Sequence, residues 1–297
     1  MKNFAISCDS NCDFYLEEYE KLEIFVGRLS YVLFEKNGEL TDCIDYFTCE
    51  QDYLDYYEKL ARGVIAKTSI LSEEAHYDLF KSVYEKGYKS LLHVCQSYGL
   101  SPTLDKAKSA YERIKGEFPD FTIEFVESSS TTVGEQMLVR KAVEMRDSGA
   151  SLIETRDKLE SLKMHLQHYI IVGDLQHLKR GGRISGASAV VGTMLKIKPI
   201  IEFNKEGKLE TVAKISGVNK AFSTVVAKGL EMGKHPDSFN ILVGHTGNVE
   251  LANKLAEKIE EAFNVKPEIR LIGAIIGAHL GPDAVAYTFI SEKERQF

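Results

Sequence analysis

Apolar runs and amphipathic stretches alternate through the first half of the chain. Phe4-Ala5-Ile6-Ser7-Cys8 reads as a buried strand, stopped by the turn-forming Asp9-Ser10-Asn11. Strand-like segments follow over residues 23–33, 91–95 and 121–126. Helical patterns lie between them. Ser72 predicts a helix N-cap, with Glu73 and Glu74 in the first turn, where the helix dipole favours anions. Ser101 followed by Pro102 predicts the cap and first position of a helix over 104–115. Ser151 and Glu154 form a capping-box pair that opens a stretch with Leu152, Ile153, Leu159 and Leu162. Strands alternating with helices predict a mostly parallel α/β sheet flanked by helices.

The second half is patterned differently. Tyr169-Ile170-Ile171-Val172 predicts a strand, followed by a Gly-rich turn and helix. Residues 198–203 and 207–212 predict two adjacent strands joined by the hairpin-like turn Asn204-Lys205-Glu206-Gly207. Leu251, Leu255, Ile259 and Phe263 recur at i+4 and mark one apolar helix stripe. Segments 241–243, 269–272 and 285–290 read as strands. Adjacent strands plus separate helices predict a second, α+β domain with a mixed sheet. The expected boundary falls after the polar helix ending at His165, which gives domains 1–165 and 166–297.

The length, 297 residues, is consistent with two domains. The formal charge of −7 weighs against nucleic-acid binding, which calls for a basic footprint. No apolar run is long enough for a membrane span, and the start lacks the pattern of a signal peptide, so a cytoplasmic protein without stable membrane insertion is expected. Five cysteines (Cys8, Cys12, Cys43, Cys49, Cys95) show no C-x-x-C spacing. They are expected to be reduced thiols packed as small apolar groups, with no metal site and no cofactor.

Four segments carry candidate chemistry. Thr68-Ser69-Ile70-Leu71-Ser72 places three hydroxyls just before a helix start, where hydroxyls and free backbone N–H groups can hold an anion. Ser97-Tyr98-Gly99-Leu100-Ser101-Pro102-Thr103 forms a second strand–turn–helix junction of the same kind. Leu178-Lys179-Arg180-Gly181-Gly182-Arg183-Ile184-Ser185 combines glycines that permit close backbone approach with the donor fork of Arg183. Lys179, Arg180, Lys196 and Lys198 make this region basic within an acidic chain. The stretch 272–282 sets His279 among glycines and apolar residues. The other histidines, His76 and His93 among them, have plainer surroundings, although His245-Thr246-Gly247-Asn248 is turn-like and suited to capping the next helix. No nucleophile elbow, H-E-x-x-H or paired-carboxylate pattern accompanies these anion holders.

These segments, in this order, resemble the DegV family of bacterial fatty-acid-binding proteins. Cys8-Asp9-Ser10-Asn11-Cys12-Asp13 resembles the family's D-S-T-A-D start, and Thr68-Ser69-Ile70-Leu71-Ser72 its T-S-Q-P-S. Residues 97–103 resemble S-S-G-L-S-G-T, with Tyr98 in place of a second Ser and Pro102 in place of a Gly. Gly181-Gly182-Arg183-Ile184-Ser185 and Lys198-Pro199-Ile200 match G-G-R-I-S and K-P-I, and residues 277–282 resemble G-T-H-T-G-P. The resemblance implies a long-chain fatty acid held between two domains. Its carboxylate would lie on Thr68, Ser69, Ser97, Tyr98 and His279. It also implies a separate fatty acid kinase as partner, which would form an acyl-phosphate for phospholipid synthesis. Arg183, Lys179 and Arg180 would then serve transfer or kinase docking, and the chain itself would be a carrier rather than an enzyme. The alternative is a small-molecule transferase, or a dihydroxyacetone-kinase-like subunit, using His279.

Overall fold

The computed structural model describes residues 2–173, 175–185, 197–235 and 240–296. The N-terminal half carries a four-stranded parallel sheet ordered Ile24–Gly27, Ala5–Asp9, Ser90–Cys95 and Thr122–Glu127. Its central strands are buried on both faces, because helices cover each side. That is why they read as unbroken apolar runs. Ser72 caps the helix Glu73–Glu85 through the Ala75 amide, and Ser151 with Glu154 closes a capping box on Leu152–Leu162.

The segment 23–33 is two strands in two sheets rather than one. Leu29 makes the break: its amide donates to Ser10 Oγ, its carbonyl accepts from the Asp45 amide, and its side chain is buried. Beyond it, Ser30–Phe34 leaves the parallel sheet. It forms the middle of a small antiparallel sheet between Leu40–Ile44 and Ile65–Thr68. This sheet carries Thr68 at a strand end.

The second half is built on a mixed seven-stranded sheet. Its order is Glu268–Leu271, Ile241–His245, Val285–Ile290, Leu166–Ile171, Ile197–Phe203, Leu209–Ser216 and Ile184–Ser185. Val218–Met232 and Val249–Phe263 pack on it through one apolar cluster that includes Phe222, Leu255 and Ile259. Asn248, the last residue of the turn-like segment 245–248, caps the second of these helices by accepting from the Leu251 amide. Two other apolar clusters run across residue 165: one joins Leu166, Leu242 and Ile290 to Ile6 and Val139, the other joins Tyr56 and Leu71 to Ile170 and Phe203. Cys8, Cys12 and Cys95 are buried as expected, but Cys43 is half-buried and Cys49 exposed. No helix among the described residues is long and apolar enough to cross a membrane.

Candidate functional site

His279 sits near the end of the short helix Ala274–Leu280, and the N-terminal half holds that helix in place. The Tyr56 hydroxyl donates to the Ala274 carbonyl at 2.9 Å, and the Tyr57 hydroxyl to the Ile272 carbonyl at 2.5 Å. Both tyrosines come from the helix Glu50–Ala61. Gly277 permits this approach, since a Cβ there would stand 2.4 Å from the Tyr57 oxygen. At the other end of the helix, the Gly273 and Ala274 backbone amides favour the charged forms of Asp13 and Asp45. Burial nonetheless lifts Asp45 to about 6 and Asp13 well above the usual carboxylate range, where the Asp45 charge adds to the rise.

So positioned, His279 Nε2 lies 3.1 Å from Thr68 Oγ1, across 211 residues of sequence. The glycine that gives the ring its room is Gly181: a Cβ there would meet His279 Nδ1 at 2.1 Å. Burial, then the neighbouring charges of Arg183 and His177, hold the imidazole down to about 4, so it is neutral at neutral pH. Its Nδ1 has no protein hydrogen-bond partner among the described residues.

The Thr68–His279 pair opens onto a cavity whose empty space, with the open solvent at its mouth, is about 760 Å³. Residues on both sides of position 165 line it, and Ile170, Phe203, Leu209, Ile275, Ile276 and Ala286 make its walls apolar. Ser69 and Ile70 are exposed beside Thr68, and Arg183 also lines the cavity. The Arg183 guanidinium is tethered by the Leu100 carbonyl at 3.4 Å and by the Gly181 carbonyl.

Two expected carboxylate ligands are not brought to the cavity. Ser97 is fully buried, but its hydroxyl donates to the Gly207 carbonyl at 2.7 Å. It fastens the N-terminal loop to the hairpin turn that follows Ile197–Phe203. Tyr98 is 53% exposed and donates to Asp105 at 2.8 Å on the outer surface. Pro102, not Ser101, occupies the N-cap of Thr103–Glu117, so the Ser101 hydroxyl is released to line the cavity without a protein partner among the described residues. Lys179 and Arg180 end the helix Gln176–Gly181 with exposed side chains outside the cavity. Lys196 lies outside the described residues.

A second polar cluster was missed by sequence reasoning. Gln96, Thr131, Thr132, His168 and Thr288 also line the cavity. His168 and Thr288 face each other across paired strands, one pleat beyond Ile170 and Ala286. His168 Nε2 lies 2.8 Å from Ser130 Oγ, while the Thr288 hydroxyl has no protein partner among the described residues. Burial holds His168 well below its ordinary pKa, with the Arg295 charge adding to the effect. Alternation along Leu166–Ile171 was the one available signal, and it gave no way to tell a cavity from a core.

An α/β protein whose two halves enclose an apolar cavity, with a hydroxyl–imidazole pair at its edge, is the class that the fold and the site define. The chain belongs to the DegV family: a family profile described as an uncharacterised protein of the DegV family matches residues 3–292. A DegV domain-containing protein of Clostridium perfringens is 32% identical over 294 residues, covering 98% of this chain and 99% of that protein. A Streptococcus pyogenes protein of the same description is 32% identical over 293 residues, covering 98% and 99%. Among solved structures, a fatty acid binding DegV family protein from Streptococcus agalactiae superposes with a TM-score of 0.81 at 27% identity, covering 99% of this chain and 100% of that one. A DegV lipid binding protein from Thermotoga maritima shares the fold, with a TM-score of 0.84 at 23% identity over all of both chains. A stearic acid-binding protein from Eubacterium ventriosum does so too, with a TM-score of 0.84 at 24% identity over 97% and 98%.

Proposed function

We propose that this protein binds one long-chain fatty acid in the cavity, as a carrier without chemistry of its own, and presents the carboxylate to a separate fatty acid kinase. The observation that carries this reading is the Thr68–His279 pair at the edge of a cavity that apolar side chains such as Ile170, Phe203, Leu209 and Ile276 line on its other sides. About fourteen buried methylenes contribute roughly 11 kcal/mol before ordering costs, so the tail dominates affinity. Thr68, Ser69 and His279 orient the carboxylate and offset its desolvation, with the Ser101 hydroxyl in reach of the same cavity. Arg183 stands where it can stabilise charge building into an acyl-phosphate, and the exposed Lys179 and Arg180 offer an acidic partner a docking face. The transferase reading is weaker, because no carboxylate among the described residues orients His279 Nδ1.

Mass spectrometry of a denatured extract and titration with palmitate test the carrier reading. Thr68→Ala and His279→Ala should each weaken binding by about 1.5–3 kcal/mol, tenfold or more, while Tyr98→Phe leaves it unchanged. Arg183→Ala should keep affinity within a few fold yet sharply reduce acyl-phosphate formation with the kinase. A palmitate affinity indifferent to both Thr68 and His279 would remove the carboxylate from this end of the cavity.

Binding should also depend on pH. A carboxylate beside His279 stabilises its imidazolium, so the group's pKa is higher with ligand than its value of about 4 without it. Binding then takes up protons, and affinity should rise as pH falls from about 7.5 to about 5.5. The same titration on His279→Gln should be nearly flat over that window. Equal slopes in the two proteins would show that His279 does not face the carboxylate.

A further inference from the structure

Away from the cavity, three buried side chains aim their free atoms at one point. Asp9 ends the strand Ala5–Asp9. His93 lies on the neighbouring strand Ser90–Cys95, and His76 on the helix Glu73–Glu85 packed over them. All three side chains are 0% exposed. Asp9 Oδ1, His76 Nε2 and His93 Nε2 lie within 4.8 Å of one another.

Each group is held from behind. His76 Nδ1 is 3.0 Å from the Ser72 carbonyl oxygen, and His93 Nδ1 is 2.8 Å from Ser7 Oγ. Thr103 Oγ1 donates to Asp9 Oδ2 at 3.0 Å. The three inner atoms have no protein hydrogen-bond partner among the described residues. Outer atoms tied down and inner atoms left free is the arrangement that orients the ligands of a metal ion.

The proton inventory leads to the same place. A carbonyl oxygen only accepts, so His76 Nδ1 carries the ring proton in that bond. A ring carrying only that proton turns the lone pair of Nε2 towards the Asp9 oxygen 3.6 Å away, and the separation is too long for a hydrogen bond. A carboxylate oxygen and an imidazole nitrogen facing each other in a dry interior are compensated by a positive charge between them, a proton or a metal ion. His93 Nε2 approaches the same oxygen at 3.9 Å. Donors on one tetrahedral zinc, at about 2.0–2.1 Å from it, stand roughly 3.3 Å apart, so closure asks the pairs to approach by roughly 0.3 to 1.5 Å.

We propose that Asp9, His76 and His93 form a structural site for a divalent first-row transition ion, with zinc the natural occupant of this two-imidazole, one-carboxylate set. This departs from the expected absence of a metal, which rested on cysteine spacing. The ion would pin the first strand, its neighbour and the helix Glu73–Glu85, whose capping residue Ser72 stands four residues after Thr68. It would thereby brace the loop that carries Thr68 and Ser69.

The test uses the full chain, unfolded with a chelator and refolded with or without one equivalent of Co²⁺ or Zn²⁺. Wild type should take up one Co²⁺ per chain, show the ligand-field absorption of a nitrogen–oxygen site, and melt several degrees higher with Zn²⁺ than without. His93→Gln and Asp9→Asn should lose both the uptake and the shift. Thr103→Val should weaken affinity about 10–100-fold, and His165→Gln should match wild type. If a substituted chain fails to fold, wild-type stoichiometry decides alone: no uptake overturns the site. So does an NMR spectrum showing His76 as an imidazolium in metal-free protein whose stability Zn²⁺ leaves unchanged, since a proton would then fill the gap.

Discussion

Ala286→Phe should lower affinity for palmitate about a thousandfold while leaving the ligand-free protein at least as stable as wild type. Ala286 is buried on the strand Val285–Ile290 and points into the cavity beside Ile170. A phenyl ring there occupies space that about five methylenes of the tail would fill, and at roughly 0.8 kcal/mol each that is about 4 kcal/mol. The ring would project into the cavity rather than into close-packed core, so it should not incur the usual penalty of overpacking. The loss should shrink for a short acid such as hexanoate, whose tail does not reach the ring. Titration of both acids against both proteins, beside their melting curves, separates blockage from misfolding. Equal palmitate affinity in the two proteins would move the tail out of this cavity and with it the carrier reading.

Gly134→Ala should destabilise the protein by about 3 kcal/mol, against the usual sign for a glycine inside a helix. Gly134 lies in the helix Thr132–Asp147, where alanine would ordinarily gain up to about 1 kcal/mol. Here the added Cβ would come 2.0 Å from His168 Nε2 and 2.3 Å from Ser130 Oγ. His168 belongs to the other half of the molecule, on the strand Leu166–Ile171, so the close approach is where the helix meets the mixed sheet. The methyl group must break the Ser130–His168 contact or push helix and sheet apart. Gly116→Ala is the matched control: it is exposed in the helix Thr103–Glu117, nothing stands within 4 Å of its added Cβ, and it should gain a few tenths to 1 kcal/mol. Denaturant melts of both variants read the difference. A Gly134→Ala protein as stable as Gly116→Ala would mean that helix and sheet do not pack this closely.

Much of the fold was legible because its rules are local. Doubly buried strands such as Ser90–Cys95 show as apolar runs, and Ser72 and Ser151 announce their helices through caps that need only neighbours three residues away. The break at Leu29 was not legible. Its partners, Ser10 and Asp45, lie 19 and 16 residues off and are joined to it only by hydrogen bonds in the folded chain. The motifs found Thr68, His279 and Arg183, and the structure brings all three to one cavity. The same motif reading also brought in Ser97 and Tyr98, whose hydroxyls go to Gly207 and Asp105 instead.

The sequence by itself determined the class of architecture, many of its strands and helices, and the family to which the chain belongs, since periodicity, caps and ordered motifs are properties of neighbouring residues. Tertiary structure alone decided which polar side chains meet. Thr68 and His279 are 211 residues apart, and Asp9, His76 and His93 sit on three separate elements. A hydroxyl's role depends on the nearest acceptor in space, and Ser97, Ser101 and Thr288 could each have capped, fastened or faced a ligand. Packing settles that choice: once helices and sheets are close-packed, only a few groups are left without partners inside the protein, and those define where another molecule or an ion can be held.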